Sequence, residues 1–152
     1  MSKTDIIDRL LETDGYIIDF LPMAVQRDGA GQFFEVEEYL LGSEKYVSIK
    51  ERFVSVILKL MCYYHTAVLQ EKWIDRPSPG LMENLICQMS ENTFSGTLNI
   101  LFPEEDMLLV FDRDCLNLSV YNPPQKVQPV MEKIAFSEGL FWREACCSAS
   151  EM

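Results

Sequence analysis

The segment 93-TFSGTLNILFPEEDMLLVFDRDCLNLSVY-121 decides the fold class of this chain. From Thr93 to Phe102, apolar residues alternate with small polar ones, which is typical of a strand with one buried face. Met107 to Phe111 is an uninterrupted apolar run, which indicates a central strand that is covered on both faces. Leu116 to Tyr121 alternates again, and acidic turns separate the three runs. The segment therefore predicts a three-stranded antiparallel meander over 93–121.

Helical periodicity on both sides of the meander predicts the layer that packs against it. Apolar residues recur at steps of three and four in Thr4–Thr13, Ser43–Tyr64 and Leu81–Met89. A further helix is predicted after the two prolines at 123–124, and it ends at Gly139. The helix from Ser43 is the longest, and its second half is apolar almost all round, which indicates a central position in the fold.

Three more segments bear on the sheet. Tyr16 to Leu21 is rich in apolar and aromatic residues and ends before Pro22, which predicts a strand. Gln32–Leu41 fits both an alternating strand and a helix, and we favour a strand that forms a hairpin with 16–21 across a glycine-containing loop. Leu140–Trp142 is predicted to return as a short edge strand. The complete prediction is an α+β fold, with an antiparallel sheet of about four to six strands and helices packed mainly on one face.

The length and ends of the chain suggest a simple domain organisation. The chain has 152 residues, the usual size of one domain. We expect residues 1–144 to form a single α+β domain and residues 145–152 to be a flexible C-terminal tail. The first 14 residues contain acidic side chains where a secretory signal would have an unbroken apolar core. No apolar stretch is long enough to cross a membrane. A cytoplasmic location is therefore expected.

The charge of the chain limits its possible partners. It has 24 acidic and 13 basic residues, a formal net charge of −11. This charge argues against nucleic acid, which is bound through cations that displace counterions from phosphate. It argues equally against anionic membrane surfaces. A basic protein is compatible with it, although many acidic proteins carry such a charge for solubility alone.

The motifs that would indicate catalysis or cofactor binding are missing from the sequence. The chain has one histidine, His65, and five cysteines without a C-x-x-C pair. Asp112 and Asp114 lack the rest of a calcium-binding loop, and they are better explained as turn residues. Cys146 and Cys147 are compatible with a redox role, but we favour an exposed pair in the tail. We therefore expect no catalytic residue, no metal and no cofactor.

Two groups of side chains are candidates for binding a partner, although solvated turns and ordinary core or rim packing also explain them. The acidic candidates are Glu35, Glu37, Glu38, Glu104, Glu105, Asp106, Asp112 and Asp114. The aromatic candidates are Tyr63, Tyr64 and Trp73, of types enriched at protein interfaces.

Three hypotheses about function follow from these features. The first is a non-catalytic protein-binding module that holds a basic partner. In composition the chain resembles small acidic α+β proteins of bacteria, including immunity proteins that block basic toxins. That resemblance implies an inhibitor of a basic protein and assigns no residue. The second hypothesis is an enzyme whose carboxylate site is assembled in space, and the third is a self-associating structural domain.

Overall fold

A computed structural model describes residues 2–26, 29, 31–69, 71–91, 97–111 and 117–145. The helices within them are α1 (Lys3–Leu10), α2 (Phe33–Leu41), α3 (Lys45–Met61), α4 (Pro79–Glu91) and α5 (Gln128–Ser137). The strands are β1 (Gly15–Asp19), β2 (Ala67–Leu69), β3 (Trp73–Asp75), β4 (Leu98–Phe102), β5 (Met107–Phe111), β6 (Asn117–Tyr121) and β7 (Phe141–Glu144). They form an antiparallel sheet in the order β3-β2-β4-β5-β6-β1-β7. The predicted α+β class with an antiparallel sheet is confirmed.

The central meander is confirmed for the part of it that the structure describes. Strands β4, β5 and β6 are neighbours, with Leu101 opposite Leu108 and Val110 opposite Ser119. In β5, Leu109 belongs to the core cluster on one face of the sheet and Leu108 to the cluster on the other. An apolar run without alternation is therefore the pattern that a strand buried on both faces needs. Residues 92–96 and 112–116, parts of the predicted meander, lie outside the described residues.

Each face of the sheet is covered by different helices. The larger core cluster joins one face to α3, α4 and α5, through side chains such as Phe53, Met82 and Met131. The smaller cluster places Ile7 and Leu10 of α1 against Leu101 and Leu108 on the opposite face. The N-terminus of α1 is closed by a capping box, in which Ser2 Oγ accepts from the Asp5 N–H and Asp5 accepts from the Ser2 N–H.

The strand count differs from the sequence-based prediction. Seven strands are present among the described residues, whereas about four to six were expected. The additional strands include β2 and β3, which have three residues each. A three-residue strand is too short to show a period of two, so pattern analysis has little signal to detect. They form because Val68 pairs with Ile100 of β4 on one side and with Ile74 on the other.

The segment 32–41 corrects a second prediction. It forms helix α2 and not a strand, and the proposed hairpin with β1 is absent from the described structure. Strand β1 pairs with β6 on one edge and β7 on the other, so both of its hydrogen-bonding edges are occupied. The predicted return strand near Leu140 is confirmed as β7, the edge strand beside β1. Residues 146–152, most of the predicted tail, lie outside the described residues.

Candidate protein-binding surface

Helix α2 has an unusual relation between its sequence and its burial. Its nine residues, FFEVEEYLL, are mostly apolar, yet none of them is buried. Phe34 is 77% exposed and Tyr39 is 64% exposed. We name the exposed side of this helix the α2 surface. It consists of Phe34, Glu35, Val36, Glu38, Tyr39 and Leu41.

The sequence explains why this segment is helical and how it is oriented. Phe33, Glu37 and Leu40 are partly buried and follow the helical spacing of four and three residues. Glu35 lies in the first turn, where a negative charge is favourable, and accepts a hydrogen bond from Gln32 at 2.6 Å. The helix ends at Gly42. Partial cover on one side of α2 therefore leaves the other side to solvent.

The acidic residues of α2 differ in their pairing from Glu104 and Asp106, which form ion pairs with His65 and Arg9. Among the described residues, Glu35, Glu37 and Glu38 form no ion pair. Glu35 and Glu38 are also exposed. The α2 surface thus combines large apolar side chains with negative charge that the described part of the chain does not neutralise.

The acidic turn between β4 and β5 is paired with basic groups. Arg9 donates two hydrogen bonds to the Asp106 carboxylate, at 3.1 and 2.6 Å. The Asp106 backbone has a positive φ of 56°, and its carbonyl accepts from Asn122 Nδ2 at 2.8 Å. These contacts hold the turn in a backbone conformation that few non-glycine residues adopt. Asp106 is consequently engaged within the fold.

His65 engages two more carboxylates at the same end of the sheet. Its Nε2 lies 2.6 Å from Asp75 Oδ1, and its Nδ1 lies 3.5 Å from Glu104 Oε2. The hydrogen bond from His65 holds the pKa of the Asp75 carboxyl below its ordinary value, while desolvation acts in the opposite direction. Both ring nitrogens therefore face carboxylates of this chain, which disfavours a role for His65 as a free general base.

The aromatic candidates divide into one exposed and two packed residues. Tyr63 is 70% exposed. Tyr64 packs edge-on against Phe102 at 6.2 Å, and burial, followed by the nearby Glu105 charge, raises the pKa of its hydroxyl. Trp73 packs against the smaller core cluster, with the Lys3 ammonium 5.7 Å from its ring. Tyr64 and Trp73 are thus partly structural residues.

The strand registers place the two acidic clusters, Glu35–Glu38 of α2 and Glu104–Asp106 of the β4–β5 turn, at opposite ends of the sheet. The turn at 103–106 lies at the end where Leu108 pairs with Tyr121 and Tyr121 with Gly15. Phe33 of α2 lines a pocket with Asp19 and Asn117, which pair with each other at the other end of β1 and β6. The structure therefore brings Glu104, Glu105 and Asp106 near Tyr64 and His65, but not near α2. Asp112 and Asp114 lie outside the described residues.

Sequence reasoning missed one polar pair beside α2. Arg143 of β7 donates from Nη2 to Asp19 Oδ2 of β1 at 2.7 Å, and their side chains are only 20% and 11% exposed. The two residues are 124 positions apart, so no local pattern could have linked them. The nearest signal is an aspartate at the end of an otherwise apolar strand, a position where a charge needs a partner.

The described residues were also compared with the requirements for a metal site and for a membrane-spanning helix, and they meet neither. They contain no group of three or more His, Cys, Asp or Glu side chains that could hold a metal ion. Their helices include none that is long and apolar enough to span a membrane.

Comparison with known proteins gave no match: no family model, curated protein or solved structure is similar to this chain.

Proposed function

We propose that this chain is a non-catalytic protein-binding module that holds a basic protein through the α2 surface. The observation that carries the proposal is a mostly apolar helix with no buried residue and with acidic side chains among its exposed ones. Contiguous exposed apolar side chains mark interaction sites, and aromatic residues dominate the binding energy of interfaces. A partner with apolar side chains flanked by Lys or Arg complements this surface.

Charge favours a basic partner over a second copy of the chain. In a symmetric dimer joined through α2, the glutamates of both copies would lie in the same interface. Like charges that meet in an interface oppose association, whereas opposite charges steer the partners together. With a net charge of −11, the whole chain adds to this attraction. An immunity-type inhibitor of a basic toxin in the cytoplasm is one form of the proposed function.

The decisive experiment compares two equally exposed phenylalanines. The tagged full chain is used to capture partners from a lysate of its own cells, and the Kd of a captured protein is then measured. We expect F34A with Y39A to weaken binding at least tenfold, because truncated hot-spot residues cost about 2 kcal/mol or more. The single variant F34A is measured beside the double variant, and F136A is its matched control, since Phe136 of α5 is 72% exposed while Phe34 is 77% exposed. Binding that survives F34A with Y39A would contradict the proposal.

A charge variant tests the second half of the proposal. E35Q with E38Q removes two exposed charges and retains the size of the side chains. We expect slower association with the captured protein at low salt, and a difference that shrinks above about 0.5 M salt, where screening extends over only a few ångströms. E71Q with E83Q, two exposed glutamates outside α2, is the control for net charge. If both double variants slow association equally, the net charge of the chain and not the α2 surface attracts the partner.

A further inference from the structure

The Asp19–Arg143 pair lies in a pocket that the α2 surface does not include. The pocket has a volume of about 350 Å³. Polar and apolar surface contribute about equally to its walls, and the polar side chains among its lining residues are Asp19, Asn117 and Arg143. The apolar lining comes from Ile17, Leu21, Ala24, Val25, Phe33 and Ala145. This volume lies at the lower end of the range for ligand pockets, so it suits one compact group.

The pocket adjoins the α2 surface. Phe33, the first residue of α2, lines the pocket, and Phe34 contacts Phe33 edge-on with ring centroids 5.4 Å apart. When one side chain of a partner covers Phe34, a neighbouring side chain of the same partner can therefore reach the pocket.

The polar groups in the pocket leave hydrogen-bonding capacity for an occupant. Arg143 donates one hydrogen bond to Asp19 through Nη2. Its Nε–H has no acceptor among the described residues, but this atom is buried below the surface, so only the remaining Nη hydrogens can serve an occupant. A guanidinium has five N–H donors, so this pair uses only part of them. Asp19 is 8% exposed and also accepts from the Phe20 backbone N–H at 2.8 Å. The pair is consequently held in place, while Arg143 can donate further.

Charge decides what kind of occupant fits. A cation would meet the Arg143 guanidinium, and an anion would meet the Asp19 carboxylate, so the nearly neutral pair selects against both. The apolar part of the wall, which includes Phe33, favours an aromatic body, and the polar part favours a polar group on it. The occupant that satisfies these conditions is an aromatic ring with an uncharged polar tip.

We propose that this pocket receives a tyrosine side chain of the bound partner, with its hydroxyl against the Asp19–Arg143 pair and its ring against Phe33. The identity of the occupant as a partner side chain rests on the proposed function. The tyrosine is then an amphipathic anchor beside the apolar and basic side chains with which the partner contacts α2.

The test uses small probes on the full chain and requires no identified partner. Amide NMR spectra of the ¹⁵N-labelled protein are recorded during titration with N-acetyl-tyrosinamide, N-acetyl-phenylalaninamide and N-acetyl-lysinamide. We expect saturable shifts at Ile17, Phe33 and Ala145 with the tyrosine probe. The phenylalanine probe, which lacks only the hydroxyl, should bind about two- to tenfold more weakly, the value of one net hydrogen bond. R143Q should reduce that difference, provided that the variant remains folded.

Three results would overturn the inference: no saturable shift at these residues, equal or tighter binding of the phenylalanine probe, or tighter binding of the lysine probe. The unmodified chain decides the question, so instability of R143Q does not affect it. If the tyrosine probe does not bind while partner binding still depends on Phe34 and Tyr39, the inference about the pocket is wrong and the proposed function stands. If the probe binds while capture ignores those residues, the proposed function fails.

Discussion

At the scale of single residues, the surroundings of His65 decide what it can do. A neutral imidazole carries one N–H, so it can donate to only one of two carboxylates, whereas the protonated ring donates to both. His65 faces Asp75 of β3 and Glu104 of the β4–β5 turn. Arg76, the next residue along the chain, and Lys3 of α1 act on Asp75 in the same direction as His65 but more weakly. This histidine therefore joins an edge strand to a neighbouring turn.

The Asp75 carboxyl provides a pH-dependent prediction. Its folded-state pKa lies below the ordinary value of 3.8, first through the hydrogen bond from His65. A carboxyl with a lowered pKa stabilises the fold above its unfolded pKa, and this contribution is lost as pH falls through the folded value. We expect H65A to return the pKa of Asp75 towards 3.8 in a carboxyl-carbon NMR titration. The stability difference between H65A and the unmodified chain should shrink below about pH 4.

R9Q is the control for this titration, because Arg9 pairs with Asp106 and is not among the groups that shift Asp75. An Asp75 titration that is the same in H65A and in the unmodified chain would contradict the assignment of the shift to His65.

At the scale of elements, the partly buried ion pair ties two strands that the chain sequence separates. Asp19 ends β1 and Arg143 lies in β7, one of the two edge strands of the described sheet. Tyr16 and Trp142 stack at 4.9 Å across the same pair of strands. The edge strand is thus held by side chains as well as by its backbone ladder with β1.

A double-mutant cycle measures the contribution of this pair. R143M leaves the Asp19 carboxylate without its cation, and we expect it to lower the free energy of unfolding by about 1–3 kcal/mol. D19N with R143M should lose less than the sum of the two single variants, because neither charge is then left unpaired. Urea denaturation of the four proteins gives the coupling energy. Strict additivity would show that the pair is not coupled.

At the scale of the whole molecule, stability and proposed binding are located in different parts of the chain. The larger core cluster draws on the sheet and on α3, α4 and α5, and the smaller one on α1. Helix α2 contributes no buried residue to either. Substitutions on α2 can therefore change a binding surface without removing core packing.

Two phenylalanines test this separation. Phe53 of α3 is fully buried and packs edge-on against Phe111 at 6.1 Å, so F53A should cost about 3–5 kcal/mol. F34A should change the free energy of unfolding by no more than about 0.5 kcal/mol, because its side chain is mostly in water. Urea denaturation of both variants checks the prediction. Comparable losses in the two variants would show that α2 belongs to the cooperative core.

The parts of the fold that could be predicted from the sequence are those with a repeated local pattern. Alternation and an unbroken apolar run predicted β4 to β6, and steps of three and four predicted the helix that the structure shows as α3. The short strands β2 and β3 have too few residues for any period. Segment 32–41 fits both the period of a strand and the period of a helix. Its predicted partner, β1, is already paired with β6 and β7 on its two edges, and this pairing decided against the strand.

The candidate site was only half visible in the sequence. Glu35, Glu37 and Glu38 stand out as an acidic cluster in the chain. That the apolar residues between them remain exposed cannot be derived from their order, because an amphipathic pattern does not say what covers its apolar side. The Asp19–Arg143 contact could not be found either, since the two residues meet only through the pairing of β1 with β7.

By itself, the sequence determined the α+β class, the antiparallel meander and the acidic character of this protein, because each depends on local periodicity or on composition. Only the tertiary structure decided that α2 is a helix without a buried residue. It also decided that the Glu104–Asp106 turn is engaged by Arg9 and His65. The physical reason is that burial and charge pairing depend on segments far apart in the chain, whose positions are set by the packing of the complete sheet.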